Sequence, residues 1–381
     1  MEINAKLDTA IKFGAGRYRQ ERNLLPELGE EFARFGKRIF IVTNARSWAA
    51  VSEKLEPGLK AAGLEYHVEM YGGWCSYEGA RRLADAALAW NADEIVGVGG
   101  GKLVDIAKAA GEYASLGVIT VATSASTCAP FTCMSVMYTE DGANKNCWRY
   151  EHELDGVYVD LDVIAACPIR YNAAGILDAM AKKIEILNGR DDLDLADTKI
   201  DLYCAFNWAS WAYDVLEKHG KAAIEDNRAG KATELVEDMT FVNVAATGVI
   251  ANITKSFNQS HLAHDFYYCA RTLFTKESAP YIHGEIVAVA LFMQLFYNRT
   301  PEQEEGLREY MRSMDMPLAL GEIGIEPTEE NLNAIEEFMR PTRGVIQTEE
   351  GYARLHDAIR EMVKPSAHNN AARTSPTPRP R

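Results

Sequence analysis

From Lys37 to Ile164 the chain alternates short β-branched and aliphatic runs with stretches whose apolar residues recur every three or four positions. KRIFIVT (37–43), LEYHVEMY (64–71), GVITVAT (117–123) and GVYVDLDVI (156–164) read as strands, the last of them closing the series. Residues 49–63 and 76–91 carry helical spacing, and Ser76 is placed to cap the second helix. The run DEIVGVGGGKLVDIAKAAGEYA (93–114) reads as strand, glycine turn and helix. Such alternation predicts a parallel sheet with crossover helices. After Pro168 the pattern changes, and helical spacing covers 171–188, 196–219, 229–256, 260–274, 283–297, 301–313 and 328–339. The expected architecture is α/β plus all-α, with an N-terminal sheet domain over 1–165 and a helical domain over 166–364. The tail PSAHNNAARTSPTPRPR (365–381) lacks apolar anchors and is expected to be disordered.

Charge narrows the partners. Forty Lys and Arg against 55 Asp and Glu leave a formal charge of −15, which argues against nucleic acid or an anionic membrane as partner. No apolar run reaches the ~18 residues of a membrane helix, and the first residues lack a signal-peptide core. The seven cysteines form no CxxC pair and read as reduced thiols, so the expected compartment is the cytoplasm.

The candidate chemistry lies at three places. Gly99, Gly100 and Gly101 sit between a strand and a helix, where glycine lets backbone approach a phosphate and the helix N-terminus attracts it. The spacing is not GxGxxG, and a ligand-free βα turn is the alternative. Asp178 stands within an apolar helical stretch, with Lys182 one turn later as an ordinary ion-pair partner. The stretch SHLAHDFYYCARTLFTKESAPYIHGE (260–285) gathers His261, His264 and His283. Asp178, His261 and His283 together would offer three N/O ligands and an open fourth position, as at a catalytic zinc. His264 would then stand beside the metal as a proton carrier.

Five motifs come in order: GVGGGKLVDIAK, ATSASTCAPFTCMSVMY, AGILDAMAKKIE, SHLAHDF and YIHGEIVAVA. With them the chain resembles the iron-containing alcohol dehydrogenase superfamily, within it the glycerol dehydrogenase-like branch, and most closely the hydroxycarboxylate dehydrogenase sub-branch. The resemblance implies a Rossmann-like nucleotide-binding domain and a helical metal and substrate domain, the dehydroquinate synthase-like fold. It implies Asp178, His261 and His283 as ligands of one divalent metal, with Zn²⁺ preferred to Fe²⁺. It places the pyrophosphate of NAD or NADP on Gly99, Gly100 and Gly101, and the nicotinamide against Thr123, Thr132, Met134 and Tyr138. It also implies a homo-oligomer acting on a small molecule.

Two departures bear on specificity. Glycerol dehydrogenases place an aspartate where this chain has Cys128, and a thiol cannot accept diol hydroxyls as a carboxylate does. The sub-branch that reduces 2-oxo acids resembles this chain there, so a 2-hydroxy acid/2-oxo acid pair is the leading expectation and glycerol or another polyol the alternative. Asn44 stands where NAD-preferring relatives carry an acid for the ribose diol, with Arg46 two residues on. NADP is therefore as credible as NAD. Two rivals remain, a sugar-phosphate cyclase-like lyase and a member without catalysis. Asp178 in place of glutamate disfavours the first, and retention of the ligand set disfavours the second.

Overall fold

All four runs read as strands form strands, and each joins one parallel sheet. The strands are β1 (Tyr18–Glu21), β2 (Arg38–Thr43), β3 (Glu65–Met70), β4 (Glu94–Gly99), β5 (Gly117–Ala122), β6 (Met134–Tyr138), β7 (Asn144–Arg149) and β8 (Gly156–Asp160). The main sheet has the order β1-β8-β5-β4-β2-β3, all parallel, and β6 and β7 form a separate antiparallel hairpin. This is a computed structural model, and it describes residues 11–363 apart from 191, 197 and 256–258. The tail expected to be disordered lies outside the described residues.

The first helices are α1 (Leu28–Phe32), α2 (Ala45–Ala61), α3 (Tyr77–Ala89), α4 (Gly101–Ala114) and α5 (Leu161–Ala166). Next come α6 (Ile169–Leu187), α7 (Ile200–Arg228), α8 (Glu234–Phe241), α9 (Thr247–Ile253), α10 (Leu262–Leu273) and α11 (Thr275–Ser278). The last are α12 (His283–Tyr297), α13 (Glu304–Ser313), α14 (Glu329–Met339) and α15 (Glu349–Glu361). The expected fold class holds: a parallel sheet flanked by helices, then helices alone. Side-chain caps start α2, α3, α5, α8, α14 and α15, and Ser76 caps α3 as its position predicts.

The sheet carries apolar clusters on both faces. Phe40, Ile95 and Ile106 belong to one, and Ile39, Val96 and Tyr158 to the other. The helical half packs around α12, which is buried on all sides because it is apolar on all sides. Helices α6 and α10 both pack against α12. Their union places Asp178, α10 and the start of α12 on one wall of a cleft, opposite the ends of β4 and β5.

Three expectations differ from the structure. The run 156–164 is a strand only to Asp160, whose carboxylate accepts from the Asp162 amide and starts α5. The stretch 229–256 is broken by a π-helical turn at Val242–Ala246, where the Thr247 hydroxyl bonds the Val242 carbonyl. Strands β1 and β7 and helix α15 carry too much polar sequence to stand out by alternation, and tertiary pairing supplies their order.

A carboxyl pair lies at the start of the central strand β4, with Glu94 buried and Asp155 half-buried. Burial and the neighbouring Asp155 push Glu94 up to about 9 from 4.5. Because the folded pKa exceeds the unfolded one, stability is full below pH ~4.5 and falls as pH rises toward 9. Glu94→Gln is therefore expected to raise Tm by roughly a few °C at pH 8–9 and to change little at pH 5, which a pH series of thermal melts would check.

Candidate active site

The glycine turn forms as its residues require. Gly99 has φ +155°, and a Cβ there would meet Leu103 at 2.4 Å. Gly100 starts α4 without a side-chain cap, which leaves the helix terminus and its dipole open to an anion. The turn opens into a cleft of ≈ 2450 Å³, room enough for a dinucleotide and a substrate. Asn44, Gly100, Gly101, Thr123, Cys128, Thr132, Met134 and Tyr138 all line it, as do Asp178, His264 and His283. Gly99 shapes the turn from behind, its carbonyl accepting from the Thr123 amide. Asn44 accepts from the Ser47 amide at 2.8 Å and so caps α2 as well as lining the cleft.

The donor cluster differs from the sequence expectation at one residue. Asp178, His264 and His283 offer donor atoms all within 4.8 Å of one another. His264 Nε2 lies 3.2 Å and His283 Nε2 3.5 Å from Asp178 Oδ1. His261, expected as a ligand, is outside this cluster and does not line the cleft. The physical reason is its place one residue before α10: its backbone amide donates to Glu185 Oε1 at 2.9 Å, and its Nδ1 is buried without a hydrogen-bond partner. Burial pushes the His261 imidazole down to about 4. His264, expected to carry protons, stands with Asp178 and His283 instead.

Glu185 explains this choice. Its carboxylate accepts the amides of His261 and His264, each at 2.9 Å, and faces His264 Nδ1 at 2.5 Å. An ionised carboxylate can only accept, so Nδ1 carries a proton and donates to Glu185, which leaves Nε2 facing Asp178 Oδ1 and the Lys182 ammonium. Carboxylate, imidazole and metal in this order recur in metal centres. Burial alone would raise the Asp178 pKa. The Lys182 ammonium and contacts with His264 and His283 outweigh it and hold the carboxylate well below its ordinary range.

The donor set fits a divalent cation. It joins one carboxylate to two imidazoles, all walled off from bulk water on one side and open to the cleft on the other. Lys182, 2 % exposed, points its ammonium at the same atoms: 2.9 Å from His264 Nε2 and 3.4 Å from Asp178 Oδ1. It balances the carboxylate charge, and like-charge repulsion would turn it aside when a dication binds. The ion-pair partner expected for Asp178 is thus present, but buried within the site.

Three asparagines of the helical half hold the opposite loop. Asn172 accepts from the Ala125 amide, Asn243 donates to the Ala125 carbonyl, and Asn252 accepts from the Cys133 amide. Asn243 belongs to the π-helical turn, which aims it at this loop. From the sheet side, buried Lys108 donates to the carbonyls of Ala129, Thr132 and Met134. Cys128 is thereby fixed at the cleft wall, and burial pushes its thiol up to about 11, so it is neutral near pH 7. A Cβ on Gly175 would lie 1.9 Å from the Ala125 carbonyl oxygen. Gly175→Ala is expected to cost about 1–3 kcal/mol and to lower kcat/KM several-fold by displacing this loop, read from melts and steady-state rates.

Sequence reasoning missed Glu185 and the buried state of Lys182. A signal was there: Asp178, Lys182 and Glu185 recur at i, i+4 and i+7 on one helical face.

The chain is similar in sequence and fold to several known proteins. The family profile of iron-containing alcohol dehydrogenases matches residues 15–154. A glycolaldehyde reductase of Halobacterium salinarum is 28% identical, covering 86% of this chain and 89% of the relative. Hydroxycarboxylate dehydrogenase A of Escherichia coli is 27% identical over 66% of this chain and 68% of its own length. Bacterial glycerol dehydrogenases match at 26–28% identity. A solved structure of a probable glycerol dehydrogenase from Sinorhizobium meliloti superposes with TM-score 0.78 at 27% identity, covering 92% of this chain and 97% of that one. The resemblance to the iron-containing alcohol dehydrogenase superfamily and its glycerol dehydrogenase-like branch therefore holds. Among the described residues no helix is long and apolar enough to cross a membrane.

Proposed function

We propose, from this likeness as premise, that the protein is a metal-dependent NAD(P)(H) oxidoreductase interconverting a small alcohol and its carbonyl compound. The observation that carries the reading is the Asp178, His264 and His283 cluster facing the same cleft as the glycine turn. A divalent metal on these donors, Zn²⁺ in preference to Fe²⁺, would supply Lewis-acid polarisation of the substrate oxygen. A nicotinamide cofactor would supply or accept the hydride.

The chain's own residues do the rest. The turn at Gly100 and Gly101 and the N-terminus of α4 bind the pyrophosphate by backbone amides and dipole. Thr123, Thr132, Met134 and Tyr138 line the wall where the nicotinamide lies, held in register by Lys108 and the asparagines. Glu185 keeps His264 in one tautomer and orientation. Lys182 balances the Asp178 carboxylate charge before the metal binds. With both ring nitrogens of His264 engaged, proton transfer falls to another group or to water.

The leading substrate pair is a 2-hydroxy acid and its 2-oxo acid. A neutral thiol at Cys128 neither repels a carboxylate nor grips a diol. The second reading, a glycerol or polyol dehydrogenase, is supported by the glycerol dehydrogenases among the relatives. Initial rates on 2-oxo acids, hydroxyacetone and glycerol separate them. Rates on 2-oxo acids exceeding those on polyols by tenfold or more are expected, and the reverse order would remove the first reading.

Arg46 lines the cleft beside Asn44, a neutral amide at the place where NAD-preferring relatives carry an acid. NADPH is expected to serve at least as well as NADH, and Arg46→Ala to raise KM for NADPH several-fold more than for NADH. A strong native preference for NADH would contradict this. Chelation is expected to abolish turnover, and Zn²⁺ or Fe²⁺ to restore it.

A further inference from the structure

Two of the cations that line the cleft converge on one indole, and no part of this mechanism uses them. Arg271, on α10, is 3 % exposed and lines the cleft. Its guanidinium donates to the carbonyls of Ser278 at 2.7 Å and Tyr281 at 2.5 Å, and more weakly to the Ser278 and Tyr267 hydroxyls. All four acceptors are neutral. Lys102, at the start of α4, lines the same cleft with its ammonium 4.0 Å from the centre of the Trp74 ring. The Arg271 guanidinium carbon lies 5.7 Å from that ring. Among the described residues neither cation is ion-paired to a carboxylate.

Two like charges converging on one indole from different elements raise each other's energy. A buried, uncompensated guanidinium is costly, and holding loop carbonyls needs only a donor, not a charge. Burial, with Arg271 pushing the same way, pulls the Lys102 pKa below its ordinary value. The arrangement lacks one component, an anion.

Its position says which anion. The Tyr267 ring stands between the donor cluster and Arg271, 4.2 Å from the His283 ring on one side and 5.3 Å from the guanidinium on the other. A carboxylate adjacent to the reacting carbonyl stays beside the cluster and cannot span this ring. A second carboxylate several bonds further along the substrate can.

We infer that Arg271, with Lys102 over Trp74, binds a distal carboxylate of the substrate, so that the preferred 2-oxo acid is a dicarboxylate. This rests on the reading of the cluster as the place where the carbonyl reacts. Arg271 offers one unused N–H of its fork, and Lys102 a freely rotating ammonium, which together suit a carboxylate approached from two sides.

The test compares 2-oxoglutarate and 2-oxoadipate with 2-oxovalerate, which lacks the second carboxylate, using metal-loaded enzyme and reduced cofactor. The better dicarboxylate is expected to exceed 2-oxovalerate in kcat/KM by on the order of tenfold or more. Arg271→Gln should erase that difference through KM while sparing 2-oxovalerate, and Arg271→Lys should keep part of it. Equal rates in the wild type, or an equal loss on both substrates in both variants, would overturn the inference while leaving the proposed reaction standing. A rise in KM for NAD(P)H alone would assign the two cations to a cofactor phosphate and overturn it too. Should no carbonyl compound turn over, the proposed reaction fails, and glutarate binding decides the inference alone. A Tm increase with glutarate in the wild type but not in Arg271→Gln supports it, and no shift in either contradicts it.

Discussion

Replacing His264 by alanine is expected to reduce kcat/KM by at least on the order of 10³-fold, the scale of several kcal/mol of Lewis-acid stabilisation. The same replacement at His261 should leave activity within about tenfold of the wild type. The contrast follows from geometry: His264 Nε2 lies 3.2 Å from Asp178 Oδ1, whereas His261 engages the site only through its backbone amide. An alanine at 261 keeps that amide. Steady-state rates at saturating metal and cofactor, with melts to confirm folding, measure both. Loss of activity in the His261 variant with retention in the His264 variant would reinstate the set first expected from sequence.

Glu185 carries the second large effect. It is fully buried and accepts from two backbone amides and an imidazole. Glu185→Ala leaves three donors without an acceptor, each costing about 1–3 kcal/mol, and frees the His264 ring to rotate. Metal affinity is expected to fall about 10–100-fold, with a Tm loss of several °C or more. Glu185→Gln keeps an acceptor for the amides but loses the charge, so its affinity should fall between the two. Metal titration of stripped protein reads the first quantity and thermal melts the second. An unchanged affinity in Glu185→Ala would mean that ring orientation is set elsewhere.

Much of this was legible in the sequence, and the exceptions have physical causes. Strands β2, β4 and β5 and their helices announced themselves because strands buried on both faces must be continuously apolar, while β3, at the sheet edge, mixes polar and apolar residues. Gly100, Gly101 and His283, singled out by local pattern, and Asp178 and Cys128, singled out with the family resemblance, all line the one cleft. That His264 rather than His261 stands beside Asp178 and His283 was not legible, because two histidines three apart share a helical face only if both are in the helix. His261 stands one residue outside it. Which ring turns inward is decided by Glu185, contributed from α6 and distant in sequence. Arg271 was passed over for a similar reason: on sequence alone it is one more arginine on an amphipathic helix, and only packing reveals that it is buried without a carboxylate. The asparagines that hold the Cys128 loop belong to α6, the π-helical turn and α9, so their common target appears only in three dimensions.

The most direct test of the metal centre is the metal content of chelator-stripped protein reloaded with Zn²⁺ and dialysed, compared among the wild type, His261→Ala and His264→Ala by elemental analysis. About one ion per chain in the wild type and His261→Ala, and little in His264→Ala, is the expected result. Full loading of His264→Ala, or a wild type that retains no metal, would contradict it.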